Sequence, residues 1–100
     1  MIKHIVVWML QDYAEGASKM ENARKVKAVF EGLKHKIKEI KHIEVGININ
    51  TSSTAYNIVL YSEFANATDL AAYQNHPEHL IAADFVGKVC MNRRVIDYEV

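Results

Sequence analysis

The chain has 100 residues, 50% of them hydrophobic, and its 12 basic and 12 acidic side chains give a formal net charge of zero. This composition is typical of one globular domain and excludes a disordered chain, and the balanced charge gives no electrostatic basis for binding nucleic acid or an anionic membrane. A single cysteine excludes an internal disulfide and a thiolate zinc site. We expect one cytoplasmic domain over residues 1–100, without a signal peptide or membrane span.

The first third of the chain predicts a strand followed by a long helix. Residues 2–10 are rich in Ile and Val and apolar at nearly every position, which indicates a strand covered on both faces. After a loop around Gly16, Ser18 and Glu21 have the spacing of a helix capping box. Apolar residues then recur every three or four positions, so we predict a helix over about residues 18–39.

Two strands joined by a polar turn are predicted next. Residues 43–49 alternate between apolar and polar side chains, the period expected of a strand with one buried face. Residues 55–64 form a second strand-like segment, and residues 50–54 between them have the composition of a turn. Together these segments predict a β-hairpin.

A helix interrupted by proline is predicted in the last third of the chain. Asn66 or Thr68 can cap a short helix, and Pro77 disfavours helical geometry at the residue before it. Pro77 also suits the first turn of a further helix, which we expect to end near Gly87. Residues 93–100 predict a closing strand.

The order strand, helix, strand, strand, broken helix, strand is that of an α+β, ferredoxin-like β-α-β-β-α-β fold with a split second helix. Helices would cover one face of the four-stranded sheet, yet the first strand is apolar on both faces, and the third carries Val59 and Tyr61 opposite its Tyr56, Ile58 and Leu60 set. We therefore predict a homodimer through the sheet face, in which two sheets form a barrel. A monomer with a moderately apolar sheet surface is the alternative.

The densest group of polar residues is Tyr73-Gln74-Asn75-His76-Pro77-Glu78-His79. His79 would lie in the first turn of a helix, where the helix dipole disfavours imidazolium and leaves a neutral ring able to accept a proton. Tyr73 could donate a hydrogen bond to a developing oxyanion, and His4 within the first strand needs a polar partner. The alternative is structural: His76 holds a helix junction and His79 satisfies His4, as is usual for buried polar groups.

The remaining polar features of the sequence do not indicate a metal site, an anion site or a reactive cysteine. A His-x-x-His metal site lacks a third ligand, so no metal site is predicted. The basic stretch 34–42 is flanked by acidic residues, which favours a solvated helix face. Arg93 and Arg94 form no recognisable motif, and Cys90 is expected to be a packing residue.

Four segments together resemble the stress-responsive A/B barrel domain (Dabb) family. They are residues 2–8, the strand 55–64, the box 73–79 and the C-terminal segment 95–98, and the resemblance runs from residue 2 to about residue 99. It implies a ferredoxin-like dimeric α+β barrel.

The resemblance also implies roles for residues. One plant member of the family is a polyketide cyclase that works without a cofactor, and by motif its catalytic tyrosine and histidine correspond to Tyr73 and His79, and a first-strand histidine to His4. This chain has Asn57 where the cyclase has a third-strand histidine, a departure that weakens the cyclase interpretation. We expect Tyr73 and His79 as catalytic candidates, His4, His76 and Asn57 as binding candidates, and no cofactor.

The sequence is compatible with three functions and leaves open whether the chain is an enzyme. The first is a dimeric domain that binds a small, partly apolar molecule, with cofactor-free lyase- or cyclase-like acid/base chemistry at a carbonyl compound. The second is a non-enzymatic stress or scaffold protein whose His/Tyr box is structural. The third is a cofactor-independent monooxygenase, a class found in a related barrel superfamily.

Overall fold

The computed structural model describes all 100 residues, in six strands and three α-helices. In chain order these are β1 (Ile2–Leu10), β2 (Tyr13–Ala14), β3 (Ala17–Ser18), α1 (Lys19–Gly32), β4 (His42–Ile47), β5 (Ile58–Phe64), α2 (Ala67–Asn75), α3 (Pro77–Val89) and β6 (Cys90–Glu99). Four strands form an antiparallel sheet in the order β4-β5-β1-β6, while β2 and β3 form a separate small pair. The predicted ferredoxin-like α+β fold is confirmed.

Helix α1 begins at the predicted capping box but ends earlier than predicted. The Ser18 side chain accepts a hydrogen bond from the Glu21 backbone, and the Glu21 side chain accepts one from the Ser18 backbone. The α-helix ends at Gly32 and a 3-10 turn follows over Leu33–His35, so the boundary at residue 39 was wrong. The apolar period continues past the helix because the turn and the segment after it still direct Leu33, Ile37 and Ile40 into the core.

The predicted hairpin is present, with a longer connection than expected. Strands β4 and β5 pair antiparallel, but β5 begins at Ile58 instead of residue 55. Side chains of the connection bond to nearby backbone and divert it from the strand: Asn48 Nδ2 donates to Tyr56 O at 2.6 Å, and Asn50 N donates to Asn48 Oδ1 at 2.9 Å.

The proline break divides the second helical layer as predicted. His76 has an extended backbone conformation between α2 and α3, and Pro77 occupies the first turn of α3. Helix α3 then continues through Gly87 to Val89, so the predicted end at the glycine was wrong. The closing strand consequently starts at Cys90, three residues before the predicted start.

The helices pack on the sheet face that carries Val6 and Trp8, both buried in the main core. Because the strand period is two, Ile5 and Val7 point to the opposite face, where Ile96 lies across from Ile5 and Val59 across from Val7. These side chains are half-buried or exposed, and Ile96 keeps 62% of its surface accessible. An apolar face is therefore left uncovered within one subunit.

The two edges of the sheet differ. At the β4 edge, Lys27 Nζ donates to Val45 O at 2.7 Å, and Val45 N donates to the Glu31 carboxylate at 3.0 Å. Side chains of α1 thus occupy backbone groups that an added strand would use. Strand β6 forms the opposite edge. None of the helices has the length and hydrophobicity needed to cross a bilayer.

Candidate functional site

A cavity of about 240 Å³ lies between α3 and the helix-facing side of β1 and β6. Its wall is mostly apolar and includes Trp8 and Phe30, whose ring centroids are 5.3 Å apart. The polar side chains in the wall that carry a titratable or charged nitrogen are His4, His79 and Arg93. An apolar cavity with a few convergent polar groups is the usual form of a small-molecule site.

His4 is buried near the start of β1 and is oriented by a partner on β6. It lies directly opposite Asp97 in the strand register, and its Nδ1 is hydrogen-bonded to Asp97 Oδ1. Since an ionised carboxylate only accepts hydrogen bonds, Nδ1 carries a proton in this pair. The nitrogen left to exchange a proton with a ligand is therefore His4 Nε2.

His79, in the first turn of α3, is oriented by the end of α2. Its Nδ1 lies 3.0 Å from the Gln74 carbonyl oxygen, which can only accept, so Nδ1 carries the proton and Nε2 is free. Burial lowers the pKa of His79, and the charges of His4, Arg93 and His76 act in the same direction against the Gln74 hydrogen bond. The ring is therefore neutral near pH 7 and can act as a base.

Tyr73 lies beside both histidines instead of in the cavity wall. Its ring centroid is 4.4 Å from that of His79 and 6.2 Å from that of His4, and the residue is fully buried. Its hydroxyl has no hydrogen-bond partner in the structure, which is uncommon for a buried group. Burial raises the pKa of Tyr73, with Arg93 acting against the shift, so the hydroxyl stays protonated as a donor.

Two predicted binding residues lie elsewhere. His76 is not in the cavity wall; its Nδ1 accepts a hydrogen bond from Glu78 N at 3.0 Å and caps α3. Asn57 accepts from Leu10 N at 2.6 Å and lines a different, more polar cavity of about 540 Å³. Ser62 is the residue of β5 that lies opposite His4. Asn57 is five positions before Ser62, a separation of roughly 17 Å at strand spacing. The structure therefore does not place His76 and Asn57 in one site with His4 and His79, contrary to the prediction from sequence.

Three residues of the site were not predicted from sequence. Asp97 orients His4, Arg93 lies in the cavity wall, and Trp8 forms part of its apolar surface. A signal was available for two of them, since Arg93 and Asp97 share one face of the closing strand at even spacing. Nowhere in the chain do three His, Cys, Asp or Glu side chains gather as a metal site would require.

Comparison with known proteins identifies the family. The model of the stress-responsive A/B barrel domain matches residues 2–100. A dimeric protein of unknown function with a ferredoxin-like fold from Bacteroides fragilis is 38% identical, with a TM-score of 0.87 over 99% of this chain and 95% of that chain. A Dabb family protein from Mesorhizobium loti is 23% identical, with a TM-score of 0.78 over 99% of this chain and 95% of that chain.

The fold also occurs in an enzyme. A hydroxynitrile lyase from Passiflora edulis is 18% identical, with a TM-score of 0.80 over 97% of this chain and 90% of that chain, a likeness that shows the fold alone. No curated protein matches. The family match over nearly the whole chain, the 38% identical relative and the observed topology lead to one conclusion. The chain belongs to the stress-responsive A/B barrel domain family.

Proposed function

We propose that this protein is a homodimer that binds a small, partly apolar carbonyl compound in each subunit and transfers a proton at the carbon beside the carbonyl, without a cofactor. His79 is the base, Tyr73 is the hydrogen-bond donor, and His4 completes the polar end of the site. Asp97 is a positioning residue that acts through His4.

The observation that carries this proposal is that His4 and His79 lie in the wall of one apolar cavity and that the Tyr73 ring packs directly behind them. His4 and His79 each have Nδ1 occupied by a fixed acceptor, which leaves both Nε2 atoms as the free ring nitrogens. The Tyr73 ring lies beside them, and its hydroxyl is buried and unpaired. A buried hydroxyl without a partner costs about 1–3 kcal/mol, so its presence favours an acceptor supplied by a ligand.

The proposed step needs no oxidant or reductant. His79 Nε2 takes the proton from the carbon beside the carbonyl, and the electrons of that C–H bond form the C=C bond of an enolate. The negative charge moves to the carbonyl oxygen, where the Tyr73 hydroxyl donates a hydrogen bond. Protonated His79 then returns the proton to carbon or passes it to a leaving group.

Homodimer formation through the uncovered sheet face is supported by its apolar side chains. Ile5, Val7, Val59 and Ile96 form a patch on the side away from the helices. The 38% identical relative from Bacteroides fragilis is dimeric. Pairing two such faces would bury the patch and close a two-fold barrel.

A structural role of the box is the second candidate, and two hydrogen bonds favour it. His76 caps α3 through Glu78 N, and His79 joins α3 to α2 through the Gln74 carbonyl. Both bonds would be useful in a protein without any ligand. The two candidates differ in what they predict for His79 Nε2, which takes no part in the helix junction.

Deuterium exchange at the methyl group of acetophenone tests the proposal, because this ketone places a carbonyl beside an aromatic ring. In deuterated buffer near pH 7, we expect the protein to accelerate loss of the methyl proton signal. His79→Gln should slow this exchange by at least about 100-fold, the usual contribution of a general base. His35→Gln on the exposed 3-10 turn is the matched control and should exchange like the wild type.

Equal exchange rates for wild type and His79→Gln would contradict the proposed mechanism. Absence of any acceleration by the wild type, together with a large loss of stability in His79→Gln, would favour the structural candidate.

A further inference from the structure

Arg93 brings a permanent positive charge to the cavity. It lies opposite Trp8 in the β1–β6 register, on the helix-facing side of the sheet, and forms part of the cavity wall with His4 and His79. An arginine guanidinium stays protonated throughout the pH range of protein chemistry, so this charge is present whatever the state of the ligand. Its charge reaches the interior, since it acts on the pKa of both Tyr73 and His79.

The guanidinium of Arg93 has no acidic partner. None of the ion pairs in the chain includes it, and no Asp or Glu lies in the cavity wall. Asp97 shares its face of β6 but is four positions away, roughly 13 Å at strand spacing, and is already bonded to His4. The guanidinium of the adjacent Arg94 does have a side-chain partner, since it donates to the amide oxygen Asn92 Oδ1 at 2.8 Å.

The volume of the cavity limits what the charge can bind. At about 240 Å³ it is smaller than the roughly 300–1,000 Å³ of sites for drug-sized ligands. An apolar cavity of about 150 Å³ is known to hold benzene, so this one has room for a single ring with a small substituent. Trp8 and Phe30 supply apolar surface against which such a ring can pack.

We propose that the ligand is a ring-sized carboxylic acid whose carboxylate is held by Arg93 at the cavity mouth while its ring enters the apolar interior. This inference rests on the proposed function, since it names the class of molecule that the same cavity takes. A guanidinium fits a carboxylate with two parallel hydrogen bonds, which gives orientation as well as affinity. With its carboxylate held by Arg93, the ligand would direct its opposite end toward His4 and His79.

Binding of benzoate and benzamide tests the charge requirement, because the two molecules have nearly the same shape and differ in charge. Trp8 is the only tryptophan in the chain and lies in the cavity wall, so its fluorescence reports occupancy directly. In the wild type we expect benzoate to bind at least about tenfold more tightly than benzamide, as charge-assisted hydrogen bonds do relative to neutral ones.

Arg93→Gln and Arg94→Gln form a matched pair of variants, since each removes one charge from neighbouring positions on opposite faces of β6. We expect Arg93→Gln to weaken benzoate binding at least about tenfold and leave benzamide within about twofold. Arg94→Gln should bind both molecules like the wild type. Sedimentation of each variant verifies that the assembly state is unchanged.

Several results would overturn the inference. In the first, the wild type binds benzoate no more tightly than benzamide. In the second, Arg93→Gln weakens the binding of both molecules equally, and in the third the two arginine variants have equal effects. If acetophenone exchange depends on His79 but benzoate binding does not depend on Arg93, the carboxylate inference fails and the proposed function stands. If the wild type neither exchanges acetophenone nor binds benzoate, the proposed function fails as well.

Discussion

His4 and Asp97 occupy directly opposite positions on β1 and β6, and the carboxylate of Asp97 holds the Nδ1 atom of His4. The histidine is buried, whereas the aspartate side chain is 39% exposed. A solvated carboxylate therefore orients an imidazole ring inside the cavity. This arrangement leaves Nε2 as the nitrogen of His4 that is free of Asp97, and in the proposed function Nε2 is the atom that meets the ligand.

Replacing Asp97 with asparagine should change the tautomer of His4. An amide can donate to Nδ1, so the neutral ring could carry its proton on Nε2, and the free lone pair in the cavity would be lost. We expect nitrogen-15 NMR to show a shift from the Nδ1–H to the Nε2–H tautomer, and acetophenone exchange to fall about tenfold or more. Asp84→Asn, which alters an exposed ion pair on α3, is the control. An unchanged His4 spectrum in Asp97→Asn would contradict the orienting role.

Removing the Tyr73 hydroxyl should not destabilise the protein. Because this hydroxyl is buried without a partner, Tyr73→Phe should leave the free energy of unfolding unchanged or raise it by up to about 1 kcal/mol. Acetophenone exchange should fall at least tenfold, as expected for loss of an oxyanion donor. Tyr61→Phe is the matched control, since it removes a hydroxyl that donates to Glu63 at 2.5 Å on the other sheet face. Urea unfolding that shows Tyr73→Phe to be the less stable of the two variants would indicate that the hydroxyl has a structural partner.

The stability of the protein should decrease on the acidic side of neutrality because of His79. Its pKa is lower in the folded protein than the ~6.5 of an unfolded chain, so the unfolded state binds its proton first. The free energy of unfolding should thus fall as pH decreases from about 6.5 toward the folded pKa, and be insensitive to this group above that window. Chemical unfolding between pH 8 and 5 should show a shallower decline for His79→Gln than for wild type or His35→Gln. Parallel curves for wild type and His79→Gln would refute this assignment.

A charge on the uncovered sheet face should disrupt the dimer. Val59 lies on that face of β5, and burying an unpaired carboxylate between two sheets would cost several kcal/mol. We expect Val59→Asp to sediment as a monomer at micromolar concentration, where the wild type sediments as a dimer. Val29→Asp on α1, at a position already 39% exposed, should remain dimeric. A dimeric Val59→Asp protein would place the interface elsewhere.

The sequence predicted the order of elements well because local patterns determine it. Apolar periods identified α1 and the strands, and Pro77 located the break between α2 and α3. The start of β5 was missed because the Asn48 side chain, which bonds to the backbone of Tyr56 and of Asn50, outweighs the apolar period there. The partnership of Asp97 with His4 depends on the register between the first and last strands, which no local pattern encodes.

The placement of the candidate site residues was predicted only in part. His4, Tyr73 and His79 are indeed neighbours, because the helix break sets Tyr73 and His79 together above β1. Asn57 was grouped with them by resemblance, yet it lies just before β5, at the end of that strand far from His4.

Strand β6 contributes one wall of the cavity and contains no fully buried side chain. Within one subunit it is held mainly by its ladder of backbone hydrogen bonds to β1, so a transient detachment of β6 would expose little of the core. The pair of His4 and Asp97 joins positions 93 residues apart and would separate in the same event. We therefore expect β6 to open the cavity when it detaches. A ligand would then leave at a rate set by the same opening equilibrium that sets amide hydrogen exchange in β6.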